Sequence, residues 1–223
     1  LQGGGLAVNA EQTYLHVEYF GRAIAPFAEH LLDQGRPAAH GPFEGVVAQS
    51  SAMKVVTKRL AMVAPLDVHV LLTGPTGVGK SLVARSIHLA SRRSNSSYYE
   101  INCAAIPDAL LESELFGAAK GAHSAVADRG IPGKVEAAEG GTLFLDEIAE
   151  LAVGSQAKLL QLLQDGVYYR RGDTSARQSN VRIIAATNVD LGEAIAAKTF
   201  REDLYYRLSV VETAIPPLCE REE

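Results

Sequence analysis

The sequence predicts an α/β fold in which a parallel sheet is sandwiched between helices, and three observations predict it. Short apolar runs alternate with helical stripes from about Met53 onward. The runs at Val68–Thr73, Gly140–Leu145 and Val181–Ala186 are apolar enough for strands covered on both faces. Each leads into a glycine-rich, acidic or polar stretch, at the strand end where an open α/β sheet gathers its ligand-binding residues.

In chain order, Tyr14 to Phe20 reads as a strand, and Ile24, Phe27, Ala28 and Leu31 form a helical stripe. Residues 1–34 are too few for a core of their own and are expected to be the tail of an upstream, possibly sensory domain, in preference to a helix that packs on the main domain. Residues 35–42, rich in Gly, Pro and Ala, read as a linker. The α/β domain then runs from residue 43 to 223. Met53, Val56, Leu60 and Val63 mark its first helix, Val68–Thr73 a strand, and Val83, Ile87 and Ala90 the helix after it. Leu159, Leu160 and Leu163 form a further stripe that stops at Gly166. Residues 172–180 are small and polar, as in a surface loop.

The chain has 223 residues, 47% of them hydrophobic, and a net charge of −5. No long basic run offers a duplex-binding surface, so any DNA contact is expected through a domain outside this chain. Cys103 and Cys219 lack a metal-ligand spacing, and the six histidines form no metal motif. Reduced thiols and a cytoplasmic location are expected. No run of 18 apolar residues suggests membrane insertion. The sequence stops at Glu223 within a charged run and reads as an excerpt of a longer protein.

Gly74, Pro75, Thr76, Gly77, Val78, Gly79, Lys80 and Ser81 spell G-x-x-x-x-G-K-S between a strand and a helix. In that context the glycines let backbone N–H groups close around phosphates, Lys80 reaches the β and γ oxygens, and Ser81 holds Mg²⁺. A chance glycine-rich turn would not need the flanking strand and helix. ATP with Mg²⁺ is the expected ligand. A second constellation follows at Asp146 and Glu147, two acids closing an apolar strand. Asp146 would hold Mg²⁺ and Glu147 would act as general base toward water. Thr187 and Asn188 close another strand, placed to orient that water or sense the γ-phosphate. Arg201 and Arg207 suit a phosphoryl-transfer transition state, although by spacing alone they read as surface salt-bridge formers.

Taken together, Gly74–Ser81, Glu100–Cys103, Glu112–Gly117, Gly140–Ile148, Lys158–Leu160, Ala185–Asn188 and Phe200–Leu208 resemble the AAA+ domain of bacterial enhancer-binding proteins, the activators of sigma-54 RNA polymerase. The resemblance spans about Phe43 to Glu223. It implies an AAA+ P-loop NTPase fold, a ring hexamer, ATP hydrolysis between subunits and remodelling of sigma-54 RNA polymerase. It also implies a helical lid, absent here, and usually a helix-turn-helix domain after it. Asn102 matches the residue that holds the catalytic glutamate inactive until γ-phosphate is engaged. Asn188, with Thr187, matches the first sensor, and Arg201 and Arg207 match arginines that reach into a neighbouring protomer's site.

One segment departs from that pattern. Where the family carries Gly-Ala-Phe-Thr-Gly-Ala, this chain has Gly121-Ala122-His123-Ser124-Ala125-Val126, a degenerate contact loop. The exposed aromatic tip and the flexible glycine are lost. Val135 likewise stands where an aromatic residue is usual. Two functions are therefore open: an ATPase that remodels sigma-54 holoenzyme, or a nucleotide-responsive module controlling oligomerisation and DNA binding without that partner. A P-loop kinase is disfavoured by the Thr187-Asn188 and paired-arginine motifs. Cys103 reads as a small buried hydrophobe, His88 as a packing or capping residue, and residues 172–180 as either a pore-facing loop or a plain turn.

Overall fold

The computed structural model describes Phe43, Gly45, Val46 and residues 48–120 and 130–221, all within Gly41–Glu223, one of the two units into which the chain divides. The expected strand at 14–20, stripe at 24–31, linker at 35–42 and contact loop at 123–126 lie outside the described residues.

Five strands form one parallel sheet: β1 (Val70–Thr73), β2 (Tyr98–Asn102), β3 (Thr142–Asp146), β6 (Arg182–Thr187) and β7 (Val211–Ala214), in the order β2-β3-β6-β1-β7. Successive side chains of a strand point to opposite faces, and here both faces are buried. Leu71, Leu143, Leu145, Ile183 and Ala185 join one core cluster, whereas Val70, Leu72, Phe144, Ile184 and Ala186 join the other. This explains why the strands read as continuous apolar runs.

Helices α1 (Ser51–Val63) and α2 (Lys80–Leu89) cover the second cluster through Met53, Leu60, Val83 and Ile87. On the other face lie α3 (Asp108–Phe116), the short α4 (Lys134–Ala137), α5 (Val153–Asp165), α6 (Leu191–Ala196) and α7 (Glu202–Leu208), contributing Leu111, Leu115, Val135, Leu159, Leu191, Leu204 and Leu208. Ser50 caps α1 by accepting a hydrogen bond from the Met53 N–H, 3.3 Å away. At the end of α5, Gly166 takes the left-handed conformation that the leucine stripe's stop predicts, with φ at 66°. Residues 172–180 are more ordered than a plain turn: β4 (Val167–Tyr168) and β5 (Arg177–Gln178) pair antiparallel.

Cys103 is buried and its thiol is pushed up to about 12, chiefly by burial, so it behaves as a hydrophobe. The His88 Nδ1 lies 2.9 Å from the Thr142 hydroxyl, a packing and hydrogen-bonding role that ties α2 to β3.

Candidate active site

The sheet order places β6 between β1 and β3. The phosphate loop after β1, Asn188 after β6 and the acids closing β3 therefore meet at the C-terminal edge of three adjacent strands. Their convergence follows from strand order and not from their distance in sequence.

In the phosphate loop Gly74, Gly77 and Gly79 have φ values of 144°, 81° and 95°. A side chain there would be strained, and one at Gly74 would meet the Ile215 carbonyl oxygen at 2.5 Å. Open space surrounds the Cβ positions of Gly77 and Gly79. Among the described residues, no acceptor takes the backbone N–H of Gly77, Val78 or Gly79. Unpartnered N–H groups at the start of a helix form a cradle for an anion. Lys80, 6% exposed, donates from Nζ to the carbonyls of Gly74 (2.9 Å) and Pro75 (3.2 Å).

Glu147 adopts the left-handed conformation, with φ 51° and ψ 52°. For a residue bearing a Cβ this costs on the order of 1 kcal/mol and is held by its surroundings. It turns the chain so that Glu147 Oε1 lies 3.8 Å from Lys80 Nζ, while Oε2 accepts the Asn188 N–H at 3.2 Å. The Asn188 side chain continues the link, donating from Nδ2 to the Thr76 hydroxyl at 2.9 Å. Thr187 is buried and accepts the Val189 N–H, which shapes the turn presenting Asn188.

Asp146 sits beside this group, its Oδ1 accepting the Glu147 N–H at 3.1 Å. Burial holds its carboxyl above the ordinary value of 3.8, and the neighbouring Glu147 charge reinforces this, with partial relief from the Glu147 N–H and Lys80. No hydrogen bond among the described residues occupies the half-buried Ser81 hydroxyl at the first turn of α2. A hydroxyl and a crowded carboxylate are hard oxygen donors that fit Mg²⁺. Among the described residues no group of three or more His, Cys, Asp or Glu could hold a metal.

The other predicted residues stand apart from that centre. Asn102 lies opposite Asp146 in the β2–β3 register. Its side-chain oxygen accepts the N–H groups of Ala104 (2.9 Å) and Ala105 (3.2 Å), so among the described residues Glu147 is held by Lys80 and Asn188 and not by Asn102. Arg201 stands at the N-cap position of α7 without capping it through its side chain, its N–H donating to Gln156 Oε1 and its guanidinium engaging Asp203 at 2.9 and 2.6 Å. Arg207 is exposed near the end of that helix. Both arginines thus lie on a surface element and contribute nothing to this chain's own cradle.

The family model described as the sigma-54 interaction domain matches residues 46–214. The chain belongs to that family. This sigma-54 interaction domain is 51% identical over 191 residues to the nitric oxide reductase transcription regulator NorR2 of Cupriavidus necator, covering 85% of this chain and 36% of that protein. It is 48% identical over 193 residues to the Nif-specific regulatory protein of Klebsiella pneumoniae, covering 84% of this chain and 37% of that one. It therefore spans little more than a third of these relatives. Among solved structures, NtrX from Brucella abortus in complex with ATP superposes with a TM-score of 0.73 at 34% identity, over 97% of this chain and 45% of that one. The expected AAA+ α/β architecture is thus correct. Among the described residues no helix is long and apolar enough to cross a membrane.

Sequence reasoning missed the left-handed Glu147 and the contact of Arg221 with the phosphate loop. The Arg221 Nη2 donates to the Val78 carbonyl at 2.7 Å. No local pattern signals either feature, since both depend on tertiary placement.

Proposed function

We propose that this domain binds and hydrolyses ATP in a cytoplasmic transcription regulator. The observation that carries the reading is the strained Glu147, whose carboxylate is held between Lys80 and Asn188 where the phosphate loop presents its cradle of N–H groups. NtrX, the solved structure described above, is named as a complex with ATP.

In this reading the N–H groups of Gly77, Val78 and Gly79 and the Lys80 ammonium bind the substrate's phosphates. Ser81 and Asp146 hold Mg²⁺, which when bound offsets charge on the phosphate oxygens. Glu147 accepts a proton from the attacking water, and Asn188 keeps its carboxylate oriented. Asn102, beside Asp146, acts as a brake on Glu147 when the substrate is incompletely seated. Arg201 and Arg207 act on a neighbouring protomer in a ring hexamer, which makes turnover depend on assembly. An arginine supplied in trans is typically worth about 10³ to 10⁵ in rate.

Its partner is sigma-54 RNA polymerase, and DNA is contacted by a domain outside this chain. The altered His123–Val126 segment gives that partnership a direct test. With ADP and aluminium fluoride bound, the native protein is expected to co-migrate with sigma-54. Co-migration only after His123→Phe, Ser124→Thr, Ala125→Gly and Val126→Ala are combined would contradict this. It would identify a nucleotide-responsive module that has lost the partner.

A further inference from the structure

The segment after β7 runs back along the phosphate loop. The Ile215 N–H donates to the Thr73 carbonyl at 2.7 Å, extending the sheet contact up to the loop's first residue. Ile215 and Val78 are both buried in the same core cluster. Pro216 follows, and its carbonyl accepts from Arg221 at both Nε (3.1 Å) and Nη2 (2.9 Å). The same Nη2 donates to the Val78 carbonyl at 2.7 Å. One partly buried guanidinium therefore bridges the segment after β7 and the centre of the phosphate loop.

The bridged carbonyl matters because of what lies across its peptide plane. The described chain has no cis peptide, and in a trans peptide the C=O and the following N–H point in opposite directions. Anchoring the Val78 oxygen on Arg221 therefore directs the Gly79 N–H to the other side, away from Arg221 and into the cradle it forms with the Gly77 and Val78 N–H groups. Gly79, left-handed and without a side chain, would otherwise leave this peptide free to rotate. The Val78 carbonyl also precedes α2 and takes no part in its ladder, so without Arg221 it would lack this partner.

We infer that Arg221 is a positioning residue for the phosphate loop, fixing the Val78–Gly79 peptide so that its N–H faces the substrate's phosphates. This rests on the nucleotide-binding reading of the loop. Arg221 acts on the loop through the Val78 carbonyl, with its guanidinium held in place by the Pro216 carbonyl.

The test is ADP binding by calorimetry, with ATP turnover, in the wild-type chain and in Arg221→Ala and Arg221→Lys. A lost charge-assisted hydrogen bond is expected to weaken ADP about tenfold in Arg221→Ala. KM for ATP should rise in proportion, while kcat at saturation stays within about twofold of wild type. Arg221→Lys, able to reach one carbonyl, should recover part of the loss. Equal ADP affinity in wild type and Arg221→Ala overturns the inference, as does a fall in kcat with KM unchanged. Should Arg221→Ala not fold, Arg221→Lys carries the test, and wild-type affinity and KM there overturn it. Failure of the underlying reading looks different: Lys80→Ala would then bind ADP as well as the wild type.

Discussion

Glu147 holds a backbone conformation that costs stability, and its proposed role as base gives a reason for it. Its left-handed backbone would suit glycine or asparagine better, yet that conformation brings the carboxylate to Lys80 and to the Asn188 N–H. Asp146 is under related stress, since burial and the adjacent Glu147 both disfavour its charge. Because its folded pKa lies above the ordinary 3.8, the folded state holds the proton more tightly than the unfolded chain. Stability from this group is thus greatest at low pH and falls as pH rises through the window above 3.8. Asp146→Asn is expected to raise the melting temperature of nucleotide-free protein at pH 7 and to lose that advantage near pH 4. It should also abolish Mg²⁺-dependent hydrolysis. A lower melting temperature at pH 7 would show that the charge is stabilised in place. Of these residue-scale features, the identities of Lys80, Ser81, Asp146 and Glu147 were legible as motifs. The strain at Glu147 was not, because backbone dihedrals at a strand end are set by what packs around it.

Among the elements, β6 joins structure to site most directly. Its C-terminal end presents Thr187 and Asn188, while Arg182 begins it, only 2% exposed and unpredicted by an apolar strand reading. The Arg182 guanidinium donates to the carbonyls of Ala64 (2.7 Å), Val68 (3.0 Å) and Val63 (3.4 Å), closing the end of α1. Burial lowers its pKa to about 10, still well above neutrality, so it stays charged. Those carbonyls lie 114 to 119 residues earlier in the chain, beyond the reach of any local periodicity. Arg182→Met should cost about 2–4 kcal/mol by leaving them without partners, read as a lower urea midpoint with an unchanged slope. A loss below about 0.5 kcal/mol would mean that water satisfies them as well. Strand runs were legible because two-sided burial writes itself as apolar sequence. The β4–β5 pairing was not, since two-residue strands carry too little pattern.

At the scale of the whole molecule, the parallel sheet and both core faces followed from alternating strand and helix signals. The sheet order that places β6 between β1 and β3 was not legible from those signals, although it makes the site. The surface position of Arg201 and Arg207 gives the assembly model its test. Arg201→Ala and Lys80→Ala protomers, each inactive alone, should regain part of the wild-type turnover when mixed, because an intact arginine then faces an intact cradle. No recovery in a properly assembled mixture would count against action in trans. That Glu147 is the base of an ATP-hydrolysing site is tested by steady-state ATP turnover together with ATP affinity in Glu147→Gln beside the wild type. Affinity is expected to stay within a few-fold while turnover falls by about 10² or more; hydrolysis at the wild-type rate would contradict the claim.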